Sequence, residues 1–128
     1  FPATRVYTVE PEHYDDTRRS LASGNRETAD TAAESICDAL LSPSPGRLTF
    51  PLLKAAVAGG LVVTEAEVRA AMRFAFRELK LVVEPGGAVA LAAVLHGKLS
   101  TAGEVTAVIL SGGNVDAGLF GRIQAEPA

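Results

Sequence analysis

With 128 residues, 48% apolar and 21% charged, the chain has the size and composition of one globular domain and not of a disordered or fibrous segment. A net charge of −3 without a dense basic stripe gives no reason to expect nucleic acid, and no apolar run reaches the ~18 residues of a membrane span. The single Cys37 excludes an intramolecular disulfide, reads as a small buried hydrophobe, and fits a reducing, cytoplasmic setting.

The β-formers of "RVYTVE" predict a strand over 4–9. "EPEHYDD" turns the chain into a short helix, "DDTRRSLAS", with acids in its first turn and Gly24 just past its end. Residues 24–49 are the least regular part: 28–41 has room for a helix, whereas the two prolines of "SPSPG" make 42–46 a surface loop. A helix is expected over 50–58, capped by Thr49, with Pro51 in its first turn and Gly59-Gly60 ending it. "LVVT" (61–64) reads as a short buried strand.

Thr64-Glu65-Ala66-Glu67 fits a capping box, in which hydroxyl and carboxylate each satisfy an orphan amide. It opens the strongest predicted helix, whose apolar face is Val68, Met72, Ala75, Phe76 and Leu79; Phe74 falls off that face and needs a second neighbour. Arg69, Arg73 and Arg77, at i, i+4 and i+8, read as its solvated face. After an extended run and turn over 81–87, "AVALAAVLHG" (88–97) is a helix apolar nearly all round, hence deeply buried, with Gly97 ending it. "VTAVIL" (105–110) reads as a strand covered on both faces, and "VDAGLFGRI" as a closing helical turn or two. Strand and helix alternation with fully apolar strands predicts an α/β fold with parallel pairing.

Parallel α/β sheets place ligands beyond the carboxyl ends of their strands. Two such ends are chemically loaded. Ser111-Gly112-Gly113-Asn114 offers a hydroxyl and a backbone open to close approach, though a plain turn gives the same letters. It is no phosphate P-loop, which needs a following Lys and Ser or Thr. Glu10, Glu12, Asp15 and Asp16 are hard oxygen donors suited to Mg²⁺, Mn²⁺ or Ca²⁺, or simply acids at a helix N-terminus. His13 and His96 share no zinc-ligand spacing, and His96 fits a helix C-terminus. Glu84, between two apolar runs, is expected to be largely buried, either at a functional site or as a helix cap.

"VYTVEPE", "TADTAAESI", "LKLVVEPGGAVALAAVL" and "VILSGGNVD", in this order, resemble the C-terminal part of the pyridoxal-phosphate (PLP)-dependent threonine/serine dehydratases and serine racemases of fold type II. The resemblance runs from about residue 4 to 116 and, with "SICDALLSPSPGRLTF", is nearest to bacterial threonine/serine dehydratases. It implies part of a parallel-sheet, Rossmann-like three-layer domain, with residues 1–128 as a C-terminal piece of the catalytic domain. It also implies cofactor-binding roles. Ser111 would hydrogen-bond the pyridine nitrogen of PLP, where a neutral hydroxyl favours β-elimination over a long-lived carbanion. Gly112, Gly113 and Asn114 would make room for the ring and complete the motif, and Glu84 would stand near it. Thr31 follows Asp30 where many relatives have Gly, a departure that touches the local cofactor contact. A divalent cation would sit on Glu10, the carbonyl of Tyr14, and Asp16.

The family's Schiff-base lysine and phosphate-binding loop have no counterpart here, so no catalytic residue is assigned. Lys54, Lys80 and Lys98 are expected to face solvent. The implied activity of the full-length protein is that of a lyase, converting L-threonine or L-serine to a 2-oxo acid and ammonia. The piece alone is expected to be inactive. The alternatives are an amino-acid racemase of the same family, or a non-catalytic regulatory or interaction domain. The expected partners are an amino-acid substrate and further copies in a homo-oligomer, with no nucleic acid and no membrane. A start at Phe1-Pro2, without Met or leader, agrees with a piece of something longer, which would expose its packing surface and either self-associate or be marginally stable.

Overall fold

The computed structural model describes residues 2–127. Two strands, β1 (Tyr7–Pro11) and β2 (Gly59–Val63), pair in parallel with Tyr7 opposite Gly59 and Pro11 opposite Val63. Period-two alternation sorts their side chains between two faces. Val9, Leu61 and Val63 join the main core. Glu10 and Gly60 point the other way, onto helix α1 (Asp16–Ser23). A Cβ at Gly60 would come within 2.8 Å of the Arg18 backbone, so this strand lies closer to its helix than any other residue permits. That is why Gly59-Gly60 belong to the strand and do not end the preceding helix, as their type alone had predicted.

The remaining helices are α2 (Thr49–Ala56), α3 (Glu65–Arg77), α4 (Pro85–Leu95) and α5 (Ala117–Ala125), with one 3₁₀ turn at Asp38–Leu40. Only that turn realises the helix expected within 28–41. Thr49 does not cap α2: it occupies the first helical position, and its hydroxyl turns back to the Gly46 carbonyl at 3.3 Å. Gly24 takes a left-handed φ of 77° and closes α1 as predicted, its N–H returning to Ser20 at 2.8 Å.

Helices α3 and α4 pack together and α4 lies against both strands, giving α1, sheet and α4 as three successive layers. The core between them contains Val63, Val68, Ala71, Met72, Ala75, Val83, Ala88, Ala92 and the wholly buried Cys37. Thr64 caps α3 in a complete capping box, as expected. Its apolar face is narrower than predicted, because Phe76 and Leu79 remain partly exposed. Phe76 instead meets Phe120 of α5 edge-on, with ring centroids 5.4 Å apart. The arginine row is not a solvated face. Arg69 and Arg73 both pair with Glu126, at 2.8 and 2.7 Å, and Arg77 donates to the Gln124 carbonyl at 2.6 Å, so the row fastens the end of α5.

The largest departure is 105–110. It forms no strand ladder, and it is not covered on both faces: Val105 and Ile109 are fully or largely exposed, while Val108 and Leu110 pack on the core. An apolar run shows that a segment can be buried twice; the neighbours that bury it must come from elsewhere.

Candidate cofactor site

Helix α4 begins at Pro85, three residues earlier than expected, because proline at the first helical position needs no hydrogen-bond partner. Glu84 therefore sits at the N-cap position, yet its side chain caps nothing. It reaches across to the irregular segment 111–114. There its carboxylate accepts the Asn114 N–H at 3.1 Å, while the Glu84 N–H donates to the Gly112 carbonyl at 3.0 Å. Glu84 is half-buried rather than largely buried.

This approach explains the glycines. A Cβ at Gly112 would lie 2.7 Å from the Glu84 carboxyl carbon, one at Gly113 2.8 Å from the Val82 carbonyl oxygen, and one at Gly87 2.8 Å from the Gly112 oxygen. Gly87, which sequence reasoning passed over, belongs to the same set. The exposed Ser111 hydroxyl has no hydrogen-bond partner among the described residues. It is therefore a free neutral donor and acceptor on a segment that Glu84 holds, a chemistry that fits a pyridine nitrogen. Asn114 is also exposed.

Thr31 lies exposed in a separate loop, where the Asp30 carboxylate accepts the Ala32 N–H at 3.2 Å. The loop is tied to the end of β1. Asp30 N–H donates to the His13 carbonyl at 3.2 Å, and the Tyr14 hydroxyl donates to the Ala33 carbonyl at 3.0 Å. His13 takes a left-handed φ of 75° in that turn. No hydrogen bond joins Thr31 to 111–114 among the described residues.

The acidic segment divides its work. Glu10 accepts the amides of Thr17 and Arg18 at 2.9 and 2.8 Å, so it satisfies the N-terminus of α1 from the adjacent strand. Asp15 pairs with Arg18 and with Arg19, the latter at 2.8 Å. Burial works to raise its pKa, but the guanidiniums of Arg19 and Arg18 outweigh that and hold it low. Asp16 differs. It is 4% exposed and shares no bond with another side chain among the described residues; burial pushes its pKa up, against its own backbone N–H and the nearby charge of Arg19. Burial also raises Glu10, against the opposing bonds from Thr17 and Arg18. Glu10 and Asp16 line one cavity of about 310 Å³ with Ala39, Leu40, Ser44 and Thr49. No group of three or more His, Cys, Asp or Glu gathers in metal-holding geometry among the described residues. What these residues offer a cation is the Asp16 carboxylate, bonded by no other side chain among the described residues, and Glu10 on the same cavity, whose oxygens keep further lone pairs.

None of the three lysines serves this site. Lys54 donates to the Gly24 carbonyl at 3.2 Å, Lys80 to the Arg77 carbonyl, and Lys98 pairs with Glu67 at 2.8 Å. The Cys37 thiol is pushed by burial to about 12 and is no nucleophile.

Comparison with known proteins agrees with this arrangement. Residues 1–112 match the family model described as pyridoxal-phosphate dependent enzyme. The chain is 36% identical over 125 residues to a serine racemase of Dictyostelium discoideum, covering 95% of this chain and 38% of that one. It is 38% identical over 115 residues to an L-threo-3-hydroxyaspartate ammonia-lyase of Pseudomonas, covering 90% and 36%. Among solved structures, a threonine deaminase of T.th. superposes with a TM-score of 0.82 at 41% identity, covering 90% of this chain and 42% of that one. Maize serine racemase gives 0.83 at 33% identity, covering 94% and 39%. The chain thus spans about two fifths of the length of these relatives. With its α/β layers, its parallel pair and its Ser111–Asn114 turn locked to Glu84, the chain belongs to the family of pyridoxal-phosphate dependent enzymes.

Proposed function

We propose that this chain is the C-terminal part of the catalytic domain of a PLP-dependent ammonia-lyase that converts L-threonine or L-serine to a 2-oxo acid and ammonia. The observation that carries the reading is Ser111: an exposed, neutral hydroxyl on a turn that glycines and Glu84 fix in place. Bound PLP supplies an electron sink, and the group facing its ring nitrogen tunes that sink. A carboxylate there would keep the nitrogen protonated. A serine hydroxyl leaves it neutral and favours prompt loss of the β-hydroxyl, with water then releasing ammonia and the 2-oxo acid. An L-threonine ammonia-lyase of Thermotoga maritima, 35% identical over 122 residues, supports the substrate class. The lysine that carries the cofactor is assigned to a part of the enzyme outside this chain.

The reading extends to a divalent cation on Glu10, the Tyr14 carbonyl and Asp16, supported by the buried Asp16 carboxylate, which no other side chain bonds among the described residues. It also includes a cytoplasmic homo-oligomer. A racemase is the second reading, favoured by the likeness to serine racemases.

The test is the full-length enzyme incubated with L-threonine and L-serine, measuring 2-oxo acid and D-serine together. The expected result is 2-oxo acid as the main product, reduced on the order of a hundredfold by Ser111→Asp with PLP still bound. D-Serine as the main product establishes the racemase instead. Neither product, and no PLP binding, overturns both.

A further inference from the structure

We propose that Glu84 is a positioning residue for Ser111, acting on the cofactor site through the backbone of the 111–114 turn. This rests on the PLP reading above and deepens it. Glu84 occupies a helix N-cap position without capping the helix. Its side chain instead accepts the N–H of Asn114 at 3.1 Å, and its own N–H donates to the Gly112 carbonyl at 3.0 Å. These two bonds bracket Gly113 and clamp the turn from both sides, three residues or fewer from the Ser111 hydroxyl.

The packing around the clamp points the same way. Gly112 presents no side chain to the Glu84 carboxyl group, and Gly113 and Gly87 leave space for the two backbones to meet. Any side chain at 112 would displace the carboxylate. The two bonds thus tie the segment to the start of α4, whose first five residues are all buried. A ligand atom facing Ser111 meets a hydroxyl whose place is set by Glu84, not by the free end of an exposed segment. A negative hydrogen-bond acceptor is stronger than a neutral one, so the carboxylate is the stronger clamp, yet any side-chain oxygen of the same reach can perform it.

The role is separable from an electronic one. Glu84→Gln keeps an oxygen for the Asn114 N–H and removes the charge; Glu84→Ala removes both. The experiment titrates the full-length apoenzyme of each variant with PLP and follows the cofactor's visible absorption band, with far-ultraviolet circular dichroism to confirm folding. A positioning role predicts roughly tenfold weaker PLP binding in Glu84→Ala, the size of one lost charge-assisted hydrogen bond, and recovery of most of that loss in Glu84→Gln. It further predicts that Gly112→Ala weakens PLP binding in the wild-type background but adds nothing to Glu84→Ala, because its collision partner is gone. If Glu84→Ala fails to fold, Glu84→Gln decides alone: affinity and band position near those of the wild type support positioning.

Glu84→Gln binding PLP tenfold more weakly, or with a displaced absorption band, overturns the proposal and assigns Glu84 to the charge around the ring. Wild-type affinity in Glu84→Ala also overturns it. If the wild-type enzyme binds no PLP at all, the parent reading fails, an outcome distinct from either.

Discussion

Asp16 is a buried carboxylate that no side chain pairs with directly among the described residues; Arg19 acts on it only through its nearby charge, and burial prevails. Its folded-state pKa lies above its ordinary value of 3.8, so its contribution to stability is fully present below that value and is lost as pH rises through the raised one. Glu10 acts in the same direction. Asp15, held low by Arg19 and Arg18, acts in the opposite one: its contribution is present above its ordinary pKa and is lost as pH falls through the depressed value. At neutral pH an unpaired buried charge is a cost that a divalent cation would remove. Asp16→Asn should therefore stabilise the metal-free chain by about 1 kcal/mol near pH 7 and by almost nothing near pH 3, read from urea unfolding. Millimolar Mg²⁺ should raise the wild-type midpoint and leave Asp16→Asn unchanged. A destabilised variant at neutral pH would mean that the carboxylate has a partner, and the cation reading would lose its support.

Among the elements, α3 owes its start to local chemistry. The Thr64 hydroxyl accepts the Glu67 N–H at 3.3 Å, and the Glu67 carboxylate accepts the Thr64 N–H at 2.8 Å. Thr64→Ala should cost about 1 kcal/mol in chemical denaturation without changing the fold, whereas Thr64→Ser should cost much less. Features of this kind were legible in the sequence, because a cap, a helix-ending glycine or a first-turn proline acts within a few residues of itself. The uniformly apolar α4 was legible for the same reason. What the sequence left hidden depends on partners far along the chain. Arg69, Arg73 and Arg77 have the spacing of a wet helix face, and only the return of α5 gives them Glu126 and Gln124. Gly112 reads as a turn glycine until Glu84, 28 positions earlier by number, is found against it. Ser111 and Glu84 were assigned to the site from resemblance; the clamp between them required coordinates.

For the whole molecule, the decisive feature is an uncovered apolar edge. Val105 is 104% exposed, Ile109 77% and Val82 52%, values normal for an unfolded segment and not for a domain interior. Large apolar side chains left this exposed favour association. The 128-residue chain should sediment as concentration-dependent oligomers at micromolar levels, and Ile109→Lys should shift it towards monomer with unchanged circular dichroism. A monodisperse wild-type monomer would show that this edge is soluble as it stands. Motion follows from a different contact. Glu67 closes the first turn of α3 with one carboxylate oxygen and holds Lys98, just past the end of α4, with the other at 2.8 Å. Burial works to raise its pKa, but Lys98 outweighs this and keeps it charged. One side chain thus latches two helix ends at once. Glu67→Ala should therefore loosen the beginning of α3 and the end of α4 together, read as faster amide exchange at both.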